Sequence, residues 1–212
     1  MSIIIANALT KSFGKQGVLT GLSFDVVENE MIAIMGKSGS GKSTLLNILG
    51  LLEKPDYGEL TLFGFKNVRP FSLKATKLLR YKIGFLFQNF ALIDNKTVEY
   101  NLNLALKHQK KVNKKQEITN ALKIVGLEGI ENKYIYQCSG GEQQRIAIAR
   151  LLLKPCDLVL ADEPTGSLDI QNRDEVMQLL QIMKKKGKTI LIVTHDPEVA
   201  FQCDRTIQLN VE

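Results

Sequence analysis

The chain has 212 residues, of which 44% are apolar and 24% charged, and it carries a net charge of +6. That composition fits one globular domain, or a domain with a subdomain, able to build a core without staples. It argues against a membrane span, since no apolar run approaches the roughly 18 residues required, and against a disulfide or metal framework, since Cys138, Cys156 and Cys203 lie far apart without C-x-x-C spacing.

The first residues, Met1-Ser2-Ile3-Ile4-Ile5-Ala6-Asn7, lack the basic start and long apolar stretch of a secretory signal. Together with the cysteine pattern this points to a reducing cytoplasm. The lysines are spread out, so the positive charge reads as solubility before it reads as a surface for nucleic acid or anionic lipid.

In chain order, Ile3-Ile4-Ile5, Val18-Leu19 and Leu22-Ser23-Phe24-Asp25-Val26 read as short strands, with turns at Gly14-Lys15-Gln16-Gly17 and Glu28-Asn29-Glu30. Strands ahead of any clear helix predict a small antiparallel sheet. Met31-Ile32-Ala33-Ile34-Met35 predicts a buried strand, and Leu45-Leu46-Asn47-Ile48-Leu49 a helix. Pro55-Asp56-Tyr57-Gly58 reads as a turn, and Glu59-Leu60-Thr61-Leu62-Phe63-Gly64 alternates like a half-buried strand. A helix is expected over 72–81, then a buried strand Ile83-Gly84-Phe85-Leu86-Phe87 ending at Gln88. Residues 97–154 are mostly helical in pattern, with Ile118, Ala121, Leu122 and Val125 on one helix face and Gly126 as its stop. The lysine-rich stretch 108–115 reads as a solvated helix end or loop, with an anionic-lipid contact as the alternative. Asp157-Leu158-Val159-Leu160-Ala161 and Thr189-Ile190-Leu191-Ile192-Val193-Thr194 are continuous apolar strands flanking an amphipathic helix over 171–186 that stops at Gly187. Such strands between helices predict a parallel sheet covered on both faces.

Between the strand ending at Met35 and the next helix lies Gly36-Lys37-Ser38-Gly39-Ser40-Gly41-Lys42-Ser43-Thr44, the P-loop pattern G-x-x-x-x-G-K-[ST]. Its glycines let the backbone turn its N–H groups inward, and the helix that follows adds a positive dipole end. Gly36, Ser38, Gly39, Ser40, Gly41, Lys42, Ser43 and Thr44 are therefore candidate nucleotide-phosphate ligands, with Lys42 reaching the β- and γ-phosphates and Ser43 holding Mg²⁺. Asp162 and Glu163 end a buried strand. There Asp162 is the expected metal partner, and Glu163 is placed to orient or deprotonate water. Gln88 and His195 also end buried strands; taken alone, each reads first as an ordinary polar residue at a strand end, with metal or water for Gln88 and the γ-phosphate or its water for His195 as the functional readings. Ser139-Gly140-Gly141 precedes a helix and makes a second glycine-rich helix N-terminus, for which a simple cap is the alternative.

In order and spacing, residues 36–44, Gln88, Cys138-Ser139-Gly140-Gly141-Glu142, residues 158–163, Ser167-Leu168-Asp169 and His195 resemble the Walker A, Q-loop, signature, Walker B, D-loop and H-loop of ABC-transporter ATP-binding subunits. The resemblance spans essentially the whole chain, and the signature followed by Gln-Gln-Arg-Ile-Ala-Ile-Ala-Arg is highly specific. It implies an α/β P-loop NTPase of RecA-like type, with a parallel-sheet core, an N-terminal antiparallel β subdomain and an inserted helical subdomain. The core would comprise about 1–87 and 157–212, and the helical subdomain about 88–156. It implies ATP and Mg²⁺ as ligands and a head-to-tail homodimer in which Ser139, Gly140 and Gly141 act on the γ-phosphate held by the other subunit. Phe13 stands where the family stacks an aromatic on adenine, and Asp169 where the D-loop contributes to the nucleotide site. Glu163 would activate water, His195 would position it, and Gln88 would assist Ser43 and Asp162 at the metal.

Residues 88–93 and 97–102 are similar to the branch of macrolide exporters, lipoprotein-release ATPases and peptide-resistance transporters. The resemblance implies a separate integral membrane permease, no nucleic-acid partner, and a place on the cytoplasmic face of the membrane. Cys138 for leucine, Glu142 for glutamine and Phe13 for tyrosine depart from the common pattern, and none removes a catalytic group. The competing readings are a non-transport ABC ATPase acting on nucleic acid or ribosomes, and a regulatory nucleotide-binding module.

Overall fold

A computed structural model of the protein describes residues 1–109, 112–166 and 168–209. Lys110 and Lys111 of the lysine-rich stretch and Ser167 of the expected D-loop lie outside the described residues. The first half of the chain forms β1 (Ser2–Phe13), β2 (Gln16–Val27), β3 (Met31–Met35), α1 (Lys42–Leu49), β4 (Tyr57–Leu62), β5 (Phe65–Lys66), α2 (Leu73–Tyr81) and β6 (Ile83–Leu86). The second half forms α3 (Val98–Ala105), α4 (Lys114–Ile124), a short 3₁₀ turn (Ile135–Gln137), α5 (Gly140–Leu153), β7 (Leu158–Asp162), α6 (Ile170–Lys185), β8 (Thr189–Thr194), α7 (Pro197–Phe201) and β9 (Arg205–Gln208).

The strands sort into two sheets. A four-stranded antiparallel sheet runs β2-β1-β4-β5, and a five-stranded parallel sheet runs β6-β7-β8-β3-β9. Within the parallel sheet, successive apolar residues face opposite ways, as strand geometry requires. Ile32, Ile34, Leu158, Leu160, Leu191 and Val193 pack with α1, α2 and the antiparallel sheet. Met31, Val159, Ala161, Ile190 and Ile192 pack with the helices α3 to α7. Two cores therefore share one sheet, which is why β3, β6, β7 and β8 carry no polar alternation; the edge strand β9 is mostly polar and exposed. The face predicted on α4 is the buried one, with Ile118, Ala121, Leu122 and Val125 all in the core.

Several elements differ from expectation. The short strands expected before Met31 are two long ones. Ala8 at φ 49 and Gly21 at φ 67 put bulges inside them, so the breaks in apolar pattern mark shifts of register, not strand ends. The first turn is only Gly14-Lys15, because Gln16 already pairs with Phe13. The strand expected over 59–64 starts at Tyr57 and stops at Leu62; Phe63 (φ 51) and Gly64 (φ 77) form a two-residue hairpin turn into β5. α7 and β9 follow His195.

Topology places the interesting ends together. β3, β6, β7 and β8 are mutually parallel, with Met35 level with Thr194, Asp162 with Val193, and Leu86 with Ala161. The loops that leave these strands all emerge on one edge of the sheet, the carboxyl edge where ligands of open α/β sheets sit.

Candidate functional site

The P-loop leaves β3 and enters α1 through Gly41, the helix N-cap at φ 88. An added Cβ there would come within 2.6 Å of the Val18 carbonyl oxygen and 2.8 Å of its side chain, so position 41 is closed to other residues by both conformation and space. Gly36 and Ser40 lie buried beneath the loop, while Ser38 and Gly39 are exposed on it. Lys42 is 8% exposed, and its Nζ donates to the carbonyls of Gly36 at 2.8 Å and Lys37 at 3.0 Å. The loop thus folds around its own lysine.

Across the sheet edge, Asp162 ends β7 and lines the same cleft as Ser43. Burial pushes its carboxyl above the usual range, opposed by Ser43 and by the charge of Lys42. Glu163 follows with a left-handed backbone, φ 45, rare for a residue with a side chain. Its N–H bonds to the Val193 carbonyl at 3.0 Å, and both carboxylate oxygens lie 3.0 Å from His195 Nδ1. The side chain of Glu163 is 16% exposed and that of His195 66%. The histidine holds the acid from the solvent side.

One cleft of about 400 Å³ gathers Phe13, Ser38, Gly39, Gly41, Lys42, Ser43, Thr44, Gln88, Asp162 and Glu163. Residues far apart in sequence thereby meet at one place. Val18 lines the same cleft and was not singled out from sequence; it reads there only as part of an apolar strand. Of the phosphate-loop candidates, Ser38, Gly39, Gly41, Lys42, Ser43 and Thr44 join Phe13, Gln88 and the two acids there, with His195 joined through Glu163, whereas Gly36 and Ser40 are buried and do not line the cleft.

Ser139, Gly140, Gly141 and Asp169 are not among the residues lining that cleft. The first three form the N-terminus of α5, and Asp169 caps α6 by accepting the Asn172 N–H at 2.8 Å. Ser139 caps α5 through a reciprocal pair: its hydroxyl accepts the Glu142 N–H at 3.2 Å, and Glu142 accepts the Ser139 N–H at 2.7 Å. Lys133 Nζ clamps the same carboxylate at 3.0 and 2.9 Å. Cys138 is buried, 7% exposed, which suits a small apolar residue. A contact missed from sequence ties this helix to the acid loop: buried Gln144 of α5 donates from Nε2 to the Pro164 carbonyl.

The Lys133 ammonium first, and the Ser139 N–H second, hold the Glu142 carboxyl below its ordinary range. A depressed acid stabilises the fold above its unfolded pKa and loses that contribution as pH falls through the folded value. Lys133, raised chiefly by Glu142, contributes below the ordinary lysine pKa and stops doing so only as pH rises through its folded value. Glu142→Gln keeps the capping acceptor but removes the ion pair. The variant is expected to unfold at lower urea than the parent at neutral pH, and the gap to close in strongly acidic buffer.

The donor set suits a nucleotide polyphosphate with a hard divalent cation. The buried Ser40 Oγ finds no hydrogen-bond partner among the described residues, but Ser40 does not line the cleft. Ser43 and Asp162 offer two oxygens side by side, and no cluster of three or more His, Cys, Asp or Glu able to hold a metal occurs among the described residues. Mg²⁺ suits such a sparse set, since it takes one or two protein oxygens and completes its shell with phosphates and water.

Known proteins resemble this chain in sequence and fold. Residues 19–166 match the family model described as ABC transporter. The macrolide export ATP-binding/permease protein MacB of Escherichia coli K12 is 42% identical over 198 residues, covering 91% of this chain and 30% of its own length. MacB of Shigella flexneri is 41% identical over the same span. The chain thus spans about 30% of the length of these relatives. Among solved structures, the dimeric post-hydrolysis state of the ATP-binding cassette MJ0796, bound to ADP and Pi, superposes with a TM-score of 0.87 at 38% identity, covering 98% of this chain and 94% of that one. The cbiO1 protein of Clostridium perfringens, part of the transporter complex cbiONQ, superposes with a TM-score of 0.86 at 29% identity, covering 99% of this chain and 85% of that one.

Proposed function

The chain belongs to the ABC transporter family, and we propose that it binds Mg·ATP, hydrolyses it within a head-to-tail pair of chains, and uses the cycle to drive a membrane permease in export, extraction or antimicrobial-peptide resistance. The observation that carries this reading is a division of labour in space. The P-loop, Gln88, Asp162 and Glu163 share one cleft, while Ser139, Gly140 and Gly141 form a separate exposed helix N-terminus that does not line it.

Bound Mg·ATP supplies the γ-phosphoryl group that passes to water, and its metal offsets phosphate charge. In the proposal Lys42 leaves the carbonyls of Gly36 and Lys37 for the phosphates, and Ser43 and Asp162 hold the metal with Gln88 assisting. Glu163 takes the proton of the attacking water, and His195 fixes the Glu163 carboxylate and the water's place. Phe13 meets the adenine. Asp169 and the α5 N-terminus of one chain complete the site of the other. Because phosphoryl transfer relies on positioning and charge stabilisation, dividing these parts between two chains makes hydrolysis depend on closure.

The route to the membrane is proposed to run through the loop after Gln88. Phe90 (φ 60) and Ala91 (φ 47) are both left-handed, and their carbonyls accept from Arg150 at the end of α5, at 2.7 and 2.5 Å. A cleft of about 480 Å³, with Phe85, Phe87, Ala91, Leu104 and His108 in its wall, lies against this loop. One arginine thus links the helix that begins at the signature to the loop that begins at Gln88. Residues 88–156 are read as a helical subdomain that carries this link, and the remainder as the nucleotide-binding core. Among the described residues no helix is long and apolar enough to cross a membrane, and we place the chain on the cytoplasmic face, held there by the permease. No nucleic-acid partner is proposed.

The test is direct. Purified chain with Mg²⁺ and ATP is expected to release phosphate, and affinity capture from detergent-solubilised membranes is expected to recover an integral membrane permease whose presence raises the rate. Salt-sensitive binding to nucleic acid with no permease recovered would overturn the transport reading.

A further inference from the structure

Lys11 is a buried cation that the proposed chemistry does not use. It lies two residues before Phe13 on β1 and is 8% exposed. Its Nζ donates three hydrogen bonds, to Glu53 Oε1 at 2.9 Å, the Lys54 carbonyl at 2.9 Å and Asp56 Oδ1 at 3.1 Å. The other Asp56 oxygen accepts the Ser12 N–H at 2.8 Å, and the Asp56 N–H bonds to the Thr10 carbonyl at 2.8 Å. Residues 53–56 connect α1, the helix that opens at the P-loop, to β4. The end of β1 is therefore fastened to the segment that follows the phosphate-binding helix.

Phe13 needs such fastening. It is 53% exposed at the very end of its strand, beside the two-residue turn Gly14-Lys15. The tip of a hairpin without core packing opens more readily than the strands behind it, even with Phe13 paired to Gln16. Lys11 Nζ also lies 5.3 Å from the centroid of the Phe13 ring, within reach of a cation–π contact. A buried lysine is costly unless fully paired, and here all three acceptors come from the segment between α1 and β4, which binds it to the end of β1 that carries Phe13.

We propose that Lys11 is a positioning residue for the nucleotide base: by tying residues 10–13 to residues 53–56 it holds the Phe13 ring at a fixed height over the cleft that contains Lys42 and Ser43. The inference rests on reading Phe13 as the adenine contact. It assigns to Lys11 an effect on the base half of the ligand and none on the phosphate half.

The experiment compares binding of ATP with binding of inorganic tripolyphosphate, both with Mg²⁺, to the full chain by calorimetry. Phe13→Ala, Lys11→Met and Lys11→Arg are measured beside the parent. Lys11→Met is expected to weaken ATP about tenfold, the scale of one base–aromatic contact, and to leave tripolyphosphate unchanged, with Lys11→Arg restoring most of the loss. A merely structural ion cluster would weaken both ligands alike or neither, and either result overturns the inference. If Phe13→Ala does not change the ratio of the two affinities, the adenine reading itself fails and this inference with it. If Phe13→Ala changes the ratio and Lys11→Met does not, only the inference fails. Should Lys11→Met not fold, Asp56→Ala loosens the same clamp while leaving Lys11 two acceptors, Glu53 and the Lys54 carbonyl; an unchanged ratio there is equally fatal, and a shift of about threefold supports it.

Discussion

Glu163→Gln is expected to lower ATP turnover by about 10²–10⁴-fold, the usual worth of a positioned general base, while leaving ATP binding intact. The substitution keeps the shape and an acceptor for His195, which lies 3.0 Å from both carboxylate oxygens. It leaves the left-handed backbone at φ 45 as it is. What it removes is the base and one negative charge in the cleft that also holds Lys42 and Asp162. With hydrolysis arrested and that repulsion gone, the ATP-bound pair should persist, visible as a dimer by light scattering on adding ATP. Near-normal turnover in this variant would remove Glu163 from its proposed role.

Gly141→Asp is expected to abolish both ATP-dependent pairing and turnover, the latter by about 10²-fold or more, the scale of losing a single preorganised anion donor. The fold should tolerate the change. A Cβ at position 141 would lie 3.4 Å from Asn172 Oδ1 and 3.8 Å from Arg145 Nη1, ordinary contacts, and its backbone already belongs to α5. The harm falls on what this helix end faces. A carboxylate would stand where a helix N-terminus is proposed to receive the γ-phosphate held by the facing chain, and like charges there oppose closure. ATP binding by the single chain, measured by calorimetry, should remain within about twofold of the parent, since the cleft around Lys42 is elsewhere. Loss of ATP binding in the variant would place the signature inside the chain's own site and contradict the account.

The parts legible in the sequence were those set by local chemistry. The glycine spacing before Lys42 announced the P-loop, the unbroken apolar strands announced a two-faced parallel sheet, and the period of Ile118, Ala121, Leu122 and Val125 announced a helix face that is indeed buried. What escaped depended on partners distant in sequence. β9 has only Ile207 partly buried among Arg205, Thr206, Ile207 and Gln208, so nothing in its own pattern announces a strand; pairing with β3 makes it one. The bulges at Ala8 and Gly21 broke the alternation of β1 and β2 and disguised two long strands as several short ones. The clamp at Lys11 uses acceptors 42 to 45 residues away. The joining of His195 to Glu163 and the seat of Gln88 needed the strand order β6-β7-β8-β3, which no local pattern encodes.

The central claim is that each nucleotide site is built from two chains. Mixing two inactive variants tests it most directly. Lys42→Ala disables the P-loop of one chain, and Gly141→Asp disables the signature of the other. A mixed pair then contains one site with both defects and one with neither. Equal amounts of the two variants, each silent and unpaired alone, are expected on mixing to form an ATP-dependent dimer and to recover up to about half of the parent's site activity, since each mixed pair holds one intact site of two. A mixture that neither pairs nor hydrolyses would mean that the P-loop and signature must be intact in the same chain, and would contradict the account.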